Sequence, residues 1–216
     1  MTAPPAPQLL RMEDADLEEA ARMEIWGNPV DDMQKIILGR ERTPAGLARL
    51  VERHRKTFRD DPRATFLKVV DPTTGNMMAW AVWSFNPALM GEELARGPEL
   101  PEWPLPQFYL PYLKFRHEHL NGRPYYLKPL VVLGMIVTAP EYRRRGAAGL
   151  LVQWGLDKAD EDGVEIYLEA SVAGRPMYEK FGLRVLKAID FDMTQLGYEG
   201  VDTHICMWRP IRGQDA

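Results

Sequence analysis

The chemistry of this chain is concentrated in Ala139-Pro140-Glu141-Tyr142-Arg143-Arg144-Arg145-Gly146-Ala147-Ala148-Gly149-Leu150-Leu151. Leu130 to Thr138, just before it, is an apolar run of strand length. Just after it, Leu150, Leu151, Trp154 and Ala159 line one side of a predicted helix over Ala147 to Asp162, closed by Gly163. A strand that turns straight into a helix leaves several backbone N–H groups unpaired at the positive end of the helix dipole. Gly146 and Gly149, with Ala147 and Ala148 between them, keep the approach to those groups open, so a pyrophosphate can lie against the backbone. Arg143, Arg144 and Arg145 add charge and donors at the mouth. The plainer alternative is a basic turn before an ordinary amphipathic helix. The turn is neither a Walker loop, because Lys and Ser/Thr do not follow the glycine, nor a dinucleotide turn with three spaced glycines.

The pattern continues downstream. Val164 to Ala170 reads as a strand, and Arg175 to Phe181 as a short helix closed by Gly182. Leu183 to Met193 and His204 to Trp208 read as the last strands. Upstream, Gln8 to Met12 reads as a first strand, and Asp14 or Asp16 as the cap of a helix carrying Leu17, Ala20, Ala21, Glu24 and Ile25. Thr43-Pro44 starts a second helix with Leu47, Leu50, Val51, His54 and Phe58 on one stripe, ended by Asp61-Pro62. Thr65 to Val70 and Met77 to Phe85 form a predicted hairpin around the turn residues Asp71 to Asn76. Strands and helices mix without the regular alternation of a doubly wound sheet.

Arg143, Gly146 and Ala148 resemble the acetyl-coenzyme A loop of the GNAT-family N-acetyltransferases, whose pattern is Gln/Arg-x-x-Gly-x-Gly/Ala. Ile136-Val137-Thr138-x-Pro140 is similar to the family's strand ending in a Pro-containing turn. Ser171 to Leu183, with Tyr178-Glu179-Lys180-Phe181-Gly182-Leu183, resembles its second motif, a Tyr-x-x-x-Gly-Phe segment closing a short helix. The wording is closest to fungal and bacterial members of uncharacterised, small-acceptor type. The resemblance implies a mixed α/β (α+β) GNAT fold: a mostly antiparallel sheet of about six or seven strands, flanked by helices, with splayed central strands.

It also implies roles. The backbone of Ile136, Val137 and Thr138 would pair with the pantetheine arm. Arg143, Arg144, Arg145, Gly146, Ala147, Ala148 and Gly149 would hold the pyrophosphate. Ser171 stands where Asn is frequent and would bind the cofactor or cap the helix. Tyr178 would be the general acid for the departing thiolate. The implied reaction is direct acetyl transfer from acetyl-coenzyme A, the cosubstrate, to an amine. No base is evident. Val132 occupies the position where some members carry Glu, and Glu169 reads as facing solvent more readily than as a buried base. A non-catalytic coenzyme-binding sensor and a vestigial scaffold stand beside this reading.

Length and composition agree with one domain over residues 1–216, which the resemblance implies is an N-acetyltransferase domain, with a flexible tail over 1–8 and a Pro- and aromatic-rich insertion over 86–129 that holds one predicted helix, Leu110 to Asn121. Twenty-seven Lys and Arg against 31 Asp and Glu, a net charge of −4, lack the basic surplus of a nucleic-acid binder. No apolar run is long enough to span a membrane. One cysteine precludes an internal disulfide and suits a cytoplasmic setting. No metal is expected: His117 and His119 sit at i and i+2, which do not share a helix face. His54 reads as a core histidine, and His204 and Cys206 as core packing. Trp80 and Trp83 fall on opposite strand faces, one for the core and the other free to line an acceptor site. A small-molecule amine is the expected partner, and the chain is expected to act as a monomer or homodimer.

Overall fold

A computed structural model describes residues 5–27, 42–86, 130–196 and 199–214. The 87–129 part of the insertion, with its predicted helix, His117 and His119, lies outside the described residues, as do residues 1–4 of the tail.

Seven strands form one sheet in the order β1-β2-β3-β4-β5-β7-β6. They are β1 (Gln8–Arg11), β2 (Ala64–Val70), β3 (Met77–Asn86), β4 (Leu130–Thr138), β5 (Glu165–Ala170), β6 (Arg184–Asp192) and β7 (Val201–Arg209). Only β4 and β5 run parallel; every other neighbouring pair is antiparallel. The helices are α1 (Leu17–Trp26), α2 (Pro44–Asp60), α3 (Ala147–Asp162) and α4 (Arg175–Lys180). This is the GNAT arrangement expected from the sequence, with the last strand starting at Val201, three residues before the predicted His204.

Local chemistry explains the element ends. The Thr43 hydroxyl accepts from Gly46 N–H at 3.0 Å and Pro44 follows at the first helical position, so α2 starts there. Asp16 occupies the cap position of α1, but its carboxylate turns back to Glu13 N–H and to Lys68 Nζ, both at 2.7 Å, and fixes α1 to β2. Gly163, in the left-handed region at φ 62°, closes α3.

The two sheet faces are covered separately. Ala79, Ala81, Trp83, Val131, Leu133, Ile166, Leu168, Ile205 and Met207 face α3 and share a buried cluster with Leu151, Val152, Leu156 and Ala159. On the other face Phe66, Trp80, Val82 and Val137 pack with Leu17 and Ala20 of α1, with Phe58 of α2 against them. Both tryptophans are therefore interior: Trp80 is 0% and Trp83 2% exposed. The expectation that one of them lines an acceptor site fails, because helices cover both faces of β3.

His54 is the buried core histidine that its place on the stripe suggested. Its Nε2 lies 2.7 Å from the Glu24 carboxylate, and its ring meets Trp80 edge-on at 5.2 Å.

Candidate functional site

The site is made where β4 and β5 part. Their ladder runs from Leu130↔Glu165 to Leu133↔Leu168 and stops, while β4 continues to Thr138. On its other side β4 stays paired with β3, but the register slips at that level: Trp83 faces Leu133 and Val82 faces Met135, so Gly134 is an extra residue. A bulge bends its strand and increases the local twist. Past it, Met135, Ile136, Val137 and Thr138 have no described strand on the β5 side.

The chain then tightens into a turn, Pro140–Tyr142, and enters α3. Arg144 at φ 61° and Gly146 at φ 86° are both left-handed, a conformation for which glycine suits and arginine carries a cost. Gly146 is the N-cap and brings no side-chain bond. The first helical hydrogen bond is Leu150 N–H to Gly146 C=O at 3.2 Å. The N–H groups of Ala147, Ala148 and Gly149 are thus left without helical partners, gathered at the positive end of a 16-residue helix.

The three arginines separate. Arg143 Nη2 donates to the Gly27 carbonyl at the end of α1, at 2.6 Å. Arg145 donates to Asp71 at 3.1 Å and lies 5.1 Å over the Tyr142 ring, whose hydroxyl accepts from Asn76 Nδ2 at 3.2 Å. Thr73 N–H, and then Arg145, hold the Asp71 carboxyl below the usual carboxylate range. The β2–β3 turn and the end of α1 therefore fix the loop in place. Arg144 is exposed and makes no side-chain hydrogen bond or ion pair to a described residue.

Ser171 follows β5, and its Oγ accepts from Gly174 N–H at 3.1 Å, shaping the turn into α4. That turn seats Tyr178, which is 4% exposed and belongs to the same buried cluster as Ala139, Ala147, Leu168 and Ala170. Burial pushes its hydroxyl pKa up. The hydroxyl is a neutral donor with no hydrogen bond to a described residue.

Glu169, the first β5 residue past the last β4–β5 pair, is half-buried rather than solvent-facing. Its carboxylate accepts from the Tyr167 hydroxyl at 3.2 Å. Val132, Tyr167 and Glu169 lie on the face away from α3, and Cys206 of β7 is buried opposite Glu169. Two features escaped sequence reading. The Gly134 bulge was visible only as a glycine inside a strand pattern. Glu165 is an acidic residue at the buried start of β5. Among the described residues no group of three or more His, Cys, Asp and Glu is placed to hold a metal ion. No described helix is long and apolar enough to cross a membrane.

A parting parallel pair, a bulged strand and an uncapped helix start thus meet at one place. The sequence profile of the acetyltransferase (GNAT) family matches residues 31–183, most of the chain, and the chain belongs to that family. Solved structures agree in fold. A Corynebacterium glutamicum protein described as histone acetyltransferase HPA2 and related acetyltransferase is 17% identical, with a TM-score of 0.61 over 98% of this chain and 100% of that one. The ribosomal-protein-S18-alanine N-acetyltransferase of Escherichia coli is 15% identical, with a TM-score of 0.55 over 97% and 96%. Naa20 of Chaetomium thermophilum, in complex with a bisubstrate analogue, is 14% identical, with a TM-score of 0.55 over 95% and 87%. No functionally curated protein matches the sequence.

Proposed function

We propose that this acetyltransferase moves an acetyl group from acetyl-coenzyme A directly to the nitrogen of a small amine. The observation that carries the reading is the uncapped start of α3 beside the β4–β5 opening. Its unpaired N–H groups at Ala147, Ala148 and Gly149 fit a pyrophosphate, with Arg144 the loop cation left to meet it. Ile136, Val137 and Thr138 offer a strand edge to an extended pantetheine.

The coenzyme supplies the activated acetyl thioester. The amine nitrogen forms a bond to the thioester carbon, and the carbon–sulfur bond breaks. The nitrogen loses one proton to Glu169, which sits at the opening with its carboxylate oriented by Tyr167. Tyr178 gives its hydroxyl proton to the leaving sulfur and recovers one from solvent. Its raised pKa keeps that proton in place at neutral pH.

Thiol release from acetyl-coenzyme A across an amine panel tests the reading, with calorimetry of coenzyme A binding beside it. Binding with turnover supports it. Binding with no turnover on any amine moves the protein to a coenzyme-sensing role, the reading to which Val132 in place of a β4 carboxylate lends weight. Absence of binding sinks both.

A further inference from the structure

Arg144 holds its left-handed backbone, φ 61°, between two arginines that are each tied to another part of the fold. A non-glycine residue keeps such a backbone where its surroundings over-determine it. On one side the tie is Arg143 Nη2 to the Gly27 carbonyl at 2.6 Å. On the other it is a closed ring of contacts. Arg145 Nη2 donates to Asp71 Oδ2 at 3.1 Å, its guanidinium lies 5.1 Å over the Tyr142 ring, and the Tyr142 hydroxyl accepts from Asn76 Nδ2 at 3.2 Å. Asp71 N–H donates to the Asn76 carbonyl at 3.0 Å and closes the ring across the β2–β3 turn.

Asp71 is the residue on which this ring depends. It is 8% exposed, and its Oδ1 accepts from Thr73 N–H at 2.9 Å. Its carbonyl accepts from Thr74 N–H at 3.2 Å and from Gly75 N–H at 2.7 Å. The carboxylate that meets Arg145 is therefore fixed within its own turn. An anion cannot itself attract a pyrophosphate, so what Asp71 gives the loop is aim. Ala147, which carries the first of the three unpaired N–H groups, is only two residues on from Arg145. Donors set in advance bind an anion without reorganising. We propose that Asp71 is a positioning residue for the pyrophosphate subsite, acting through Arg145, and that Arg145 serves the loop rather than the pyrophosphate. This rests on the coenzyme reading above and divides the work of the three arginines within it.

Calorimetry of coenzyme A beside pantetheine, which lacks the pyrophosphate and the nucleotide, tests it. Asp71→Asn keeps the side-chain size and removes the charge that holds Arg145. It weakens coenzyme A by about tenfold and leaves pantetheine within about twofold of wild type. Arg145→Met keeps a stem over Tyr142 without the guanidinium and gives the same loss, and the double variant is no weaker than either single one. Retained pantetheine binding shows that each variant folds. With acetyl-coenzyme A as substrate, Asp71→Asn raises KM and leaves kcat, because the reacting thioester lies at the other end of the molecule. Unchanged coenzyme A affinity in Asp71→Asn overturns the proposal, as does an equal loss for both ligands. A loss in Arg145→Met well beyond that in Asp71→Asn, adding to it in the double variant, also overturns it by placing Arg145 on the pyrophosphate. The split between ligands with no thiol release on any amine keeps Asp71 and removes the transfer reading. Turnover without the split removes Asp71 and keeps the transfer reading.

Discussion

The indole of Trp83 fills the notch left by Gly155: a Cβ at Gly155 would overlap its six-membered ring, while the indole Nε1 donates to the Leu151 carbonyl at 3.1 Å. Helix propensity favours alanine over glycine by about 1 kcal/mol. Here the overlap wins, because the ring is held by α3 on one side and β3 on the other. Gly155→Ala is expected to lower stability by about 1–3 kcal/mol, measured as a fall in the urea midpoint. The same substitution six residues earlier has the opposite sign. A Cβ at Gly149 would sit 3.7 Å from Phe181 Cζ, an ordinary contact, so Gly149→Ala raises stability by up to about 1 kcal/mol. Equal effects at the two sites would show that the Trp83 notch is not rigid.

Arg144 holds a left-handed backbone that costs a non-glycine residue about 1–2 kcal/mol. Arg144→Gly is expected to hold or raise stability, by up to about 1 kcal/mol once the extra freedom of unfolded glycine is subtracted. It removes the loop cation that pairs with no described residue, so on the proposed reading coenzyme A is expected to bind more weakly, and Arg144→Glu more weakly still. Arg144→Lys retains both the charge and the strain and binds close to wild type. Titrations at low and high salt check the assignment, because differences due to an exposed charge shrink as salt rises. Affinities that do not change across the series would remove Arg144 from the site.

The β4–α3 unit was legible because two short-range signals agree, an apolar run of strand length and a helical stripe opened by Gly146 and closed by Gly163. The place of β7 between β5 and β6 was not, since that pairing joins segments whose order no local pattern encodes. Alternation correctly put Trp80 and Trp83 on opposite faces. It could not say that α1 and α2 cover one face and α3 the other, so the openness expected of one of them was wrong. Arg143, Arg144 and Arg145 look equivalent in sequence. Their separation follows from Gly27 and Asp71, more than 70 positions away, which claim two of the three guanidiniums. Glu169 is half-buried at the opening, a degree of burial that no local pattern in β5 encodes.

Tyr178→Phe keeps the buried ring and removes the hydroxyl proposed to donate to the leaving sulfur. Loss of a general acid typically costs about a hundredfold or more in rate, so kcat is expected to fall by that order while coenzyme A affinity holds. The pH dependence of stability offers an independent check. Burial raises the pKa of Tyr178 in the folded protein, so its protonated form is favoured there. The unfolded chain ionises an ordinary tyrosine near pH ~10. Above that value unfolding releases a proton, and the stability that burial of the neutral form supplies is lost as pH rises toward the folded value. Wild type should therefore lose more of its urea midpoint than Tyr178→Phe between about pH 9 and pH 11. Parallel losses would mean that the hydroxyl is solvated in the folded state.

Glu24 and His54 join α1 to α2 through a 2.7 Å contact between side chains that are almost wholly buried, with Arg53 at 3.8 Å from the other Glu24 oxygen. The pair sits against Trp80, so α1, α2 and β3 meet there. Removing one member of a buried polar pair strands the other, at a cost of about 3–5 kcal/mol, whereas replacing both with apolar groups is often near neutral. Glu24→Leu alone is expected to lower stability by about 3 kcal/mol, since it leaves His54 without its acceptor and Arg53 without its counter-charge. Glu24→Leu combined with His54→Phe should cost less than the sum of the single changes, with a coupling of about 1 kcal/mol or more. A double-mutant cycle by urea denaturation measures it. Additive costs would show that the two side chains are neighbours without being partners, and that α1 is held to α2 by apolar packing such as that of Ala21, Ile25, Leu47, Leu50 and Val51.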